Sequence, residues 1–77
     1  MSTLSIDEIK RLVGIQLGRR NVNDKDRFVE DLGAESADVA NIVATAEEKY
    51  GITIKEAEIA RILTPEDLFA LVQKRLQ

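Results

Sequence analysis

Apolar residues recur along this chain at helical rather than strand spacing. Ile6, Ile9, Val13 and Leu17 mark one stripe, with Leu12 beside it, which is the i, i+3, i+4 pattern of an amphipathic helix. Ser5 precedes that stripe as its N-cap, and Glu8 three residues on completes a capping box. Leu4 and Ile9 occupy the positions of a hydrophobic staple, and Gly18 suits the stop. Gly14, inside the helix, costs about 1 kcal/mol relative to alanine. A second run, Val39, Val43, Ala46 and Tyr50 flanked by Ala40 and Ile42, predicts a helix from about Ser36 to Tyr50, ended by Gly51. Thr64-Pro65-Glu66-Asp67 opens the last helix, with Thr64 as cap and Pro65 at the first position, where a missing N–H is harmless. Leu63 and Leu68 stand as its staple pair. Leu68, Leu71, Val72 and Leu76 build its buried stripe, with Phe69 at the edge. Between these, "IKEAEIARI" predicts a short helix whose start the pattern leaves open. No segment alternates convincingly with period two. The expected fold is all-α, a small bundle of three longer helices and one short one.

Residues 18–35 form a connection of 18 residues with no helical period. Loops of that length in a compact domain are usually functional or disordered. Val22, Phe28 and Leu32 are spaced to pin this one to the core, which makes it an ordered excursion delivering the chain to the second helix. There is no Pro/Gly/Ser-rich linker and no repeat, so residues 1–77 are expected to be one domain.

The chain contains no cysteine and no histidine. A disulfide framework, thiolate metal sites, His-coordinated zinc and His-based acid–base catalysis are therefore excluded. The opening "MSTLSIDEIK" lacks the charged and apolar regions of a signal peptide, and no apolar run approaches membrane length. A monomeric cytoplasmic protein without membrane insertion is the expectation. Net charge is only −3, but the segment Phe28–Gly51 carries −5 through Glu30, Asp31, Glu35, Asp38, Glu47 and Glu48 against Lys49. Such local acidity argues against nucleic acid and for a basic partner. An acidic helix face exposed only to solvent would show the same pattern.

Ser36 sits where the acidic loop becomes the second helix. Serine before a helix most often caps it. The same place also suits an anion, because unpaired amides and the helix dipole converge there. Gly33, three residues earlier, permits a positive-φ turn and close approach by a partner.

The string "FVEDLGAES" followed by an acidic, apolar helix resembles the acyl carrier proteins of fatty-acid and polyketide synthesis, whose signature is Asp-Ser-Leu after Leu-Gly-Ala. The resemblance covers nearly the whole chain. It includes "IQLG" closing the first helix and "EEKYGI" closing the second. It implies that Ser36 is where a phosphopantetheinyl transferase attaches 4′-phosphopantetheine from coenzyme A. The chain would then carry acyl intermediates as thioesters for fatty-acid, polyketide or related lipid biosynthesis. The chemistry would belong to the cofactor and to partner enzymes, so the protein itself is not expected to be an enzyme. The partners implied are the transferase and acyl-processing enzymes with basic patches, such as a synthase, acyltransferase or acyl ligase. Recognition would fall to Glu35, Ala37, Asp38, Asn41, Glu47 and Glu48. An acyl cleft would be drawn from Ala40, Val43, Ala44, Ala46, Ile62 and Leu71, with Ile15 and Ile42 among the neighbours available to fill it.

The departures gather on the same helix. Asp-Ser-Leu is here Glu35-Ser36-Ala37, and Asn41 stands where the family usually has a glutamate. A missing apolar anchor and a missing acid imply a specialised carrier on which generic fatty-acid enzymes dock poorly. Two other readings share the bundle. One is an unmodified docking module, and the other an aminoacyl or peptidyl carrier, which usually shows Gly-Gly-His or Gly-Gly-Asp before its serine. Asp24, Asp26, Glu30 and Glu35 fall at calcium-loop positions, but Val29 replaces the turn glycine and Phe28 an oxygen ligand, so no metal is expected.

Overall fold

Three helices of the bundle, α1 (Ile6–Leu17), α2 (Ser36–Tyr50) and α4 (Pro65–Leu76), pack against one another, and the single turn α3 (Glu56–Ile59) bridges the last two in sequence. The computed structural model describes residues 4–77; the first three residues of the stretch read above for a leader lie outside it. The described part measures 30 × 25 × 18 Å. The core is formed by Ile9, Leu12 and Val13 of α1, Ile42, Val43, Ala46 and Tyr50 of α2, Leu68 and Val72 of α4, and Ile54 and Ile62 from the turns between.

The helix ends follow local rules. Ser5 is extended, and its Oγ accepts from the Glu8 amide at 3.2 Å. Thr64 and Asp67 form a full capping box: each accepts from the other's amide at 3.1 Å. The box at α1 is only half made. The Glu8 carboxylate instead accepts from the Tyr50 hydroxyl at 2.5 Å, with the Lys49 ammonium 3.8 Å away. A buried phenol needs an acceptor, and the N-cap amide can be solvated instead. Burial first, then this bond to Glu8, pushes the Tyr50 hydroxyl above its ordinary range. The contact ties the first turn of α1 to the last turn of α2.

Two apolar positions differ from the pattern. Leu63, expected to pair with the buried Leu68, is 57% exposed. Its amide donates to Asp67 Oδ2 at 3.0 Å and its carbonyl accepts from Phe28 at 2.9 Å, so the backbone is committed and the side chain faces water. Leu76, in the last turn of α4, is 49% exposed; no element beyond α4 covers it.

The long loop is ordered by the residues expected to anchor it. Val22, Phe28 and Leu32 are buried, joined by Ala34. Backbone bonds from Phe28 to the Leu63 carbonyl and from Glu66 to the Asp24 carbonyl sew it to the start of α4. Gly14 is what lets the loop leave α1. The Arg19 amide donates to the Gly14 carbonyl at 2.8 Å, and a Cβ on Gly14 would lie 2.6 Å from the Arg19 carbonyl oxygen. Propensity alone favours alanine there by about 1 kcal/mol, whereas forcing backbone apart in a packed region costs about 1–3 kcal/mol. Gly14→Ala is therefore expected to lower the melting temperature by several degrees. A thermal melt in which the alanine variant is the more stable would show that the loop does not depend on this close approach.

Candidate functional site

The start of α2 is assembled from the loop before it. The Ala34 side chain is buried and its amide donates to the Phe28 carbonyl at 2.8 Å. Gly33 just ahead has φ +67, the left-handed region that glycine enters without penalty. Glu35 is extended (φ −96, ψ 169) and takes the N-cap position, and its amide donates to Asp38 Oδ2 at 2.9 Å. Ser36 is the first helical residue and is exposed. Ser36 is thus not the cap that position alone suggests: Glu35 holds the N-cap position, and the Asp38 carboxylate three residues further on reaches back to its amide. The serine hydroxyl is left outward, beside the opening amides and the positive end of the dipole.

The expected recognition residues divide into two groups. Ala37, Asn41 and Glu48 lie on one exposed stripe of α2 at i, i+4 and i+11, and Glu35 is exposed beside them. Asp38 and Glu47 are half-buried and already have partners. Asp38 accepts from Glu35 as described, and Glu47 Oε2 accepts from the Ile54 amide at 2.8 Å, tying the end of α2 to the turn that follows. These two carboxylates hold the fold as well as adding charge.

Four of the six expected cleft residues, Val43, Ala46, Ile62 and Leu71, meet in one apolar cluster, and the other two do not join it. Ala40 and Ala44 are exposed, and Ala44 falls on the Ala37–Asn41–Glu48 stripe. Val43 and Ala46 are closed into the core. Ile62 and Leu71 share a shallow depression of about 270 Å³ with Glu58, Arg61, Asp67, Ala70 and Lys74, and no residue of α2 lines it. Small residues on α2 have let neighbours close in rather than leave a void, as dense interiors do. Ile42 and Ile62 contribute to that packing, but Ile15 does not, being 75% exposed.

The calcium-loop acids are spent elsewhere. Asp24 pairs with Lys10 at 2.9 Å, Asp26 accepts from the Asn23 amide at 2.9 Å, and Glu30 pairs with Arg27 at 2.5 Å. Among the described residues no group of three acids gathers as a cation site, and no helix is long and apolar enough to cross a membrane. Pattern reading missed Val29 and Leu63, which stand exposed close to α2. Val29 lies in an aperiodic loop, and Leu63 satisfies the spacing of a staple, so neither carries a sequence signal.

Known proteins share this arrangement. Residues 6–72 match the family described as the phosphopantetheine attachment site. The acyl carrier protein of Wolinella succinogenes is 39% identical over 69 residues, covering 87% of this chain and 91% of that protein. That of Helicobacter hepaticus is 35% identical over 71 residues, covering 90% and 93%. Among solved structures, the acyl carrier protein of Thermotoga maritima superimposes with a TM-score of 0.77 at 29% identity, covering 92% of this chain and 85% of that one. The acetyl actinorhodin acyl carrier protein of Streptomyces coelicolor gives 0.76 at 29%, covering 99% and 95%. The chain belongs to the acyl carrier protein family, whose covalent group is 4′-phosphopantetheine and whose members carry substrates for enzymes rather than transform them.

Proposed function

We propose that this protein carries acyl groups on a 4′-phosphopantetheine arm attached to Ser36, in fatty-acid, polyketide or related lipid biosynthesis. The observation that carries the reading is an exposed serine at the first position of α2, one residue past the N-cap position that Glu35 occupies. When bound, the arm supplies a thiol on which acyl groups ride as thioesters. Ser36 Oγ gives up its proton to a base on the transferase, since this chain has no histidine or cysteine to take it. The oxygen then bonds to the pantetheine phosphorus of coenzyme A, and adenosine 3′,5′-bisphosphate leaves. The site fits a phosphodiester: the opening amides of α2 and its dipole favour the negative charge. Gly33, around which an added Cβ would meet nothing within 4 Å, leaves room for the transferase backbone. Glu35 and Glu48, exposed on α2, steer basic partners through contacts that weaken with salt.

Intact mass after incubation with coenzyme A and a broad-specificity transferase is the direct test. One added phosphopantetheinyl group is expected on the wild type and none on Ser36→Ala. An unchanged wild-type mass would favour an unmodified docking module.

The exposed stripe also bears on partner choice. Ala37 and Asn41 replace the apolar anchor and the acid usual in the family, so we expect poor turnover with a housekeeping ketosynthase. The double substitution Ala37→Leu, Asn41→Glu should raise kcat/KM with that enzyme about tenfold, the scale of one restored anchor contact. A wild-type protein already as good a substrate as the housekeeping carrier would refute the specialised role.

Repulsion among the acids of the segment Phe28–Gly51 opposes the compact state. Moderate salt or Mg²⁺ is expected to raise the melting temperature, and a melt indifferent to both would count against that repulsion.

A further inference from the structure

We infer that Val29 and Leu63 form the apolar contact by which a phosphopantetheinyl transferase seats itself over Ser36. This inference rests on the reading of Ser36 given above and names how the partner of that site grips it. Among the described residues four large apolar side chains stand in water: Ile15 (75% exposed), Val29 (60%), Leu63 (57%) and Leu76 (49%). Two of them are neighbours. The Phe28 amide donates to the Leu63 carbonyl, and Val29 follows Phe28 directly. Together with Phe28, Val39 and Ile62 they line a depression of about 70 Å³. That is far below the roughly 300 Å³ where small-molecule pockets begin, and it suits one inserted aliphatic side chain.

The patch adjoins the serine from both directions along the chain. Val39 lies three residues beyond Ser36, within one turn of α2. On the other side, the Phe28 carbonyl accepts from Ala34, two residues before Ser36, a span of at most about 7 Å. The α2 surface near Ser36 offers only the small side chains of Ala37 and Ala40 as exposed apolar contacts. Arg27 and Glu30 both line the depression and pair with each other, and the exposed carboxylates of Asp31 and Glu35 leave its surroundings with a net negative charge. The complementary partner therefore presents one apolar side chain flanked by lysine or arginine. Among enzymes that meet a carrier, the transferase is the one acting on Oγ itself. It must close around that oxygen with no arm to bridge a gap, whereas enzymes acting at the thiol can dock an arm's length away.

The test uses the apo protein as wild type, Val29→Ser, Leu63→Ser, Leu63→Met and, as an exposed control on α1, Ile15→Ser. Transfer from coenzyme A by a broad-specificity transferase is followed by intact mass, with circular dichroism melts confirming that each variant is folded. Val29→Ser and Leu63→Ser are expected to raise KM about five- to tenfold with kcat changed less than about twofold, the size of one lost anchor contact. Leu63→Met and Ile15→Ser should behave as wild type. Unchanged KM in both serine variants overturns the inference while leaving Ser36 modification intact. Normal modification combined with poor turnover of the loaded variants by acyl-processing enzymes assigns the patch to those partners and also overturns it. A wild type that gains no mass removes this inference and the Ser36 reading together.

Discussion

Burial of Phe28 is the constraint on which the start of α2 depends. The loop between α1 and α2 has no periodic structure to stiffen it, yet Phe28 is 1% exposed and both of its peptide groups are bonded. Its amide reaches Leu63 at the start of α4, and its carbonyl receives Ala34 two residues before Ser36. Burying one phenylalanine is worth roughly 1.5–3 kcal/mol, and each backbone bond adds about 1 kcal/mol net. These contacts act at one residue, so the direction in which the chain enters α2 is set from the core outward. Arg19 supports the same loop, donating to the Leu32 carbonyl at 3.2 Å. Serine 36 is thereby presented by a rigid platform although it follows a long loop.

The acids of α2 serve two ends with one set of charges. Asp38 and Glu47 satisfy backbone amides of the fold, whereas Glu35 and Glu48 face solvent. Substituting the first pair would therefore change docking and stability together, and only the second pair isolates electrostatics. Glu8 and Tyr50 show the same economy, since a carboxylate in the first turn of α1 serves a phenol 42 residues away.

Local signals mark the helix boundaries accurately. Ser5, Thr64 and Pro65 start helices as their spacing implies, Gly18 and Gly51 stop them with positive φ, and Val22, Phe28 and Leu32 pin the loop. All of these depend on residues within one turn or on plain hydrophobicity. What was not legible depends on partners distant in sequence. Glu8 leaves its capping box for Tyr50, Leu63 stands largely exposed with its carbonyl held by the Phe28 amide, and Gly14 is needed by a loop that periodicity does not describe. The cleft residues divide for a related reason. Composition shows that Ala40, Ala44 and Ala46 are small, but only packing shows that two face water and the third closes against the core.

Cohesion is unevenly distributed, and that separates the serine platform from the turn α3. No residue of α3 is fully buried; Ile59 packs partly against the core, and Glu58 accepts from the Lys55 amide at 3.0 Å and from the Arg75 guanidinium. The Lys55 amide first, then Arg75, keeps the Glu58 carboxyl below its usual range. A carboxyl depressed in the folded state contributes fully above its unfolded value, and that contribution is lost as pH falls through the folded one. Acid therefore loosens α3 through a group that titrates. The junction at Ser36 is set by Phe28, Leu32 and Ala34, which do not titrate. The capping carboxylate Asp38 adds to that junction without carrying it alone. The end of the bundle that presents the serine is thus fixed by apolar burial, while the wall over the Ile62–Leu71 depression adds a titrating carboxylate to the partial burial of Ile59. The two therefore answer to different solution conditions.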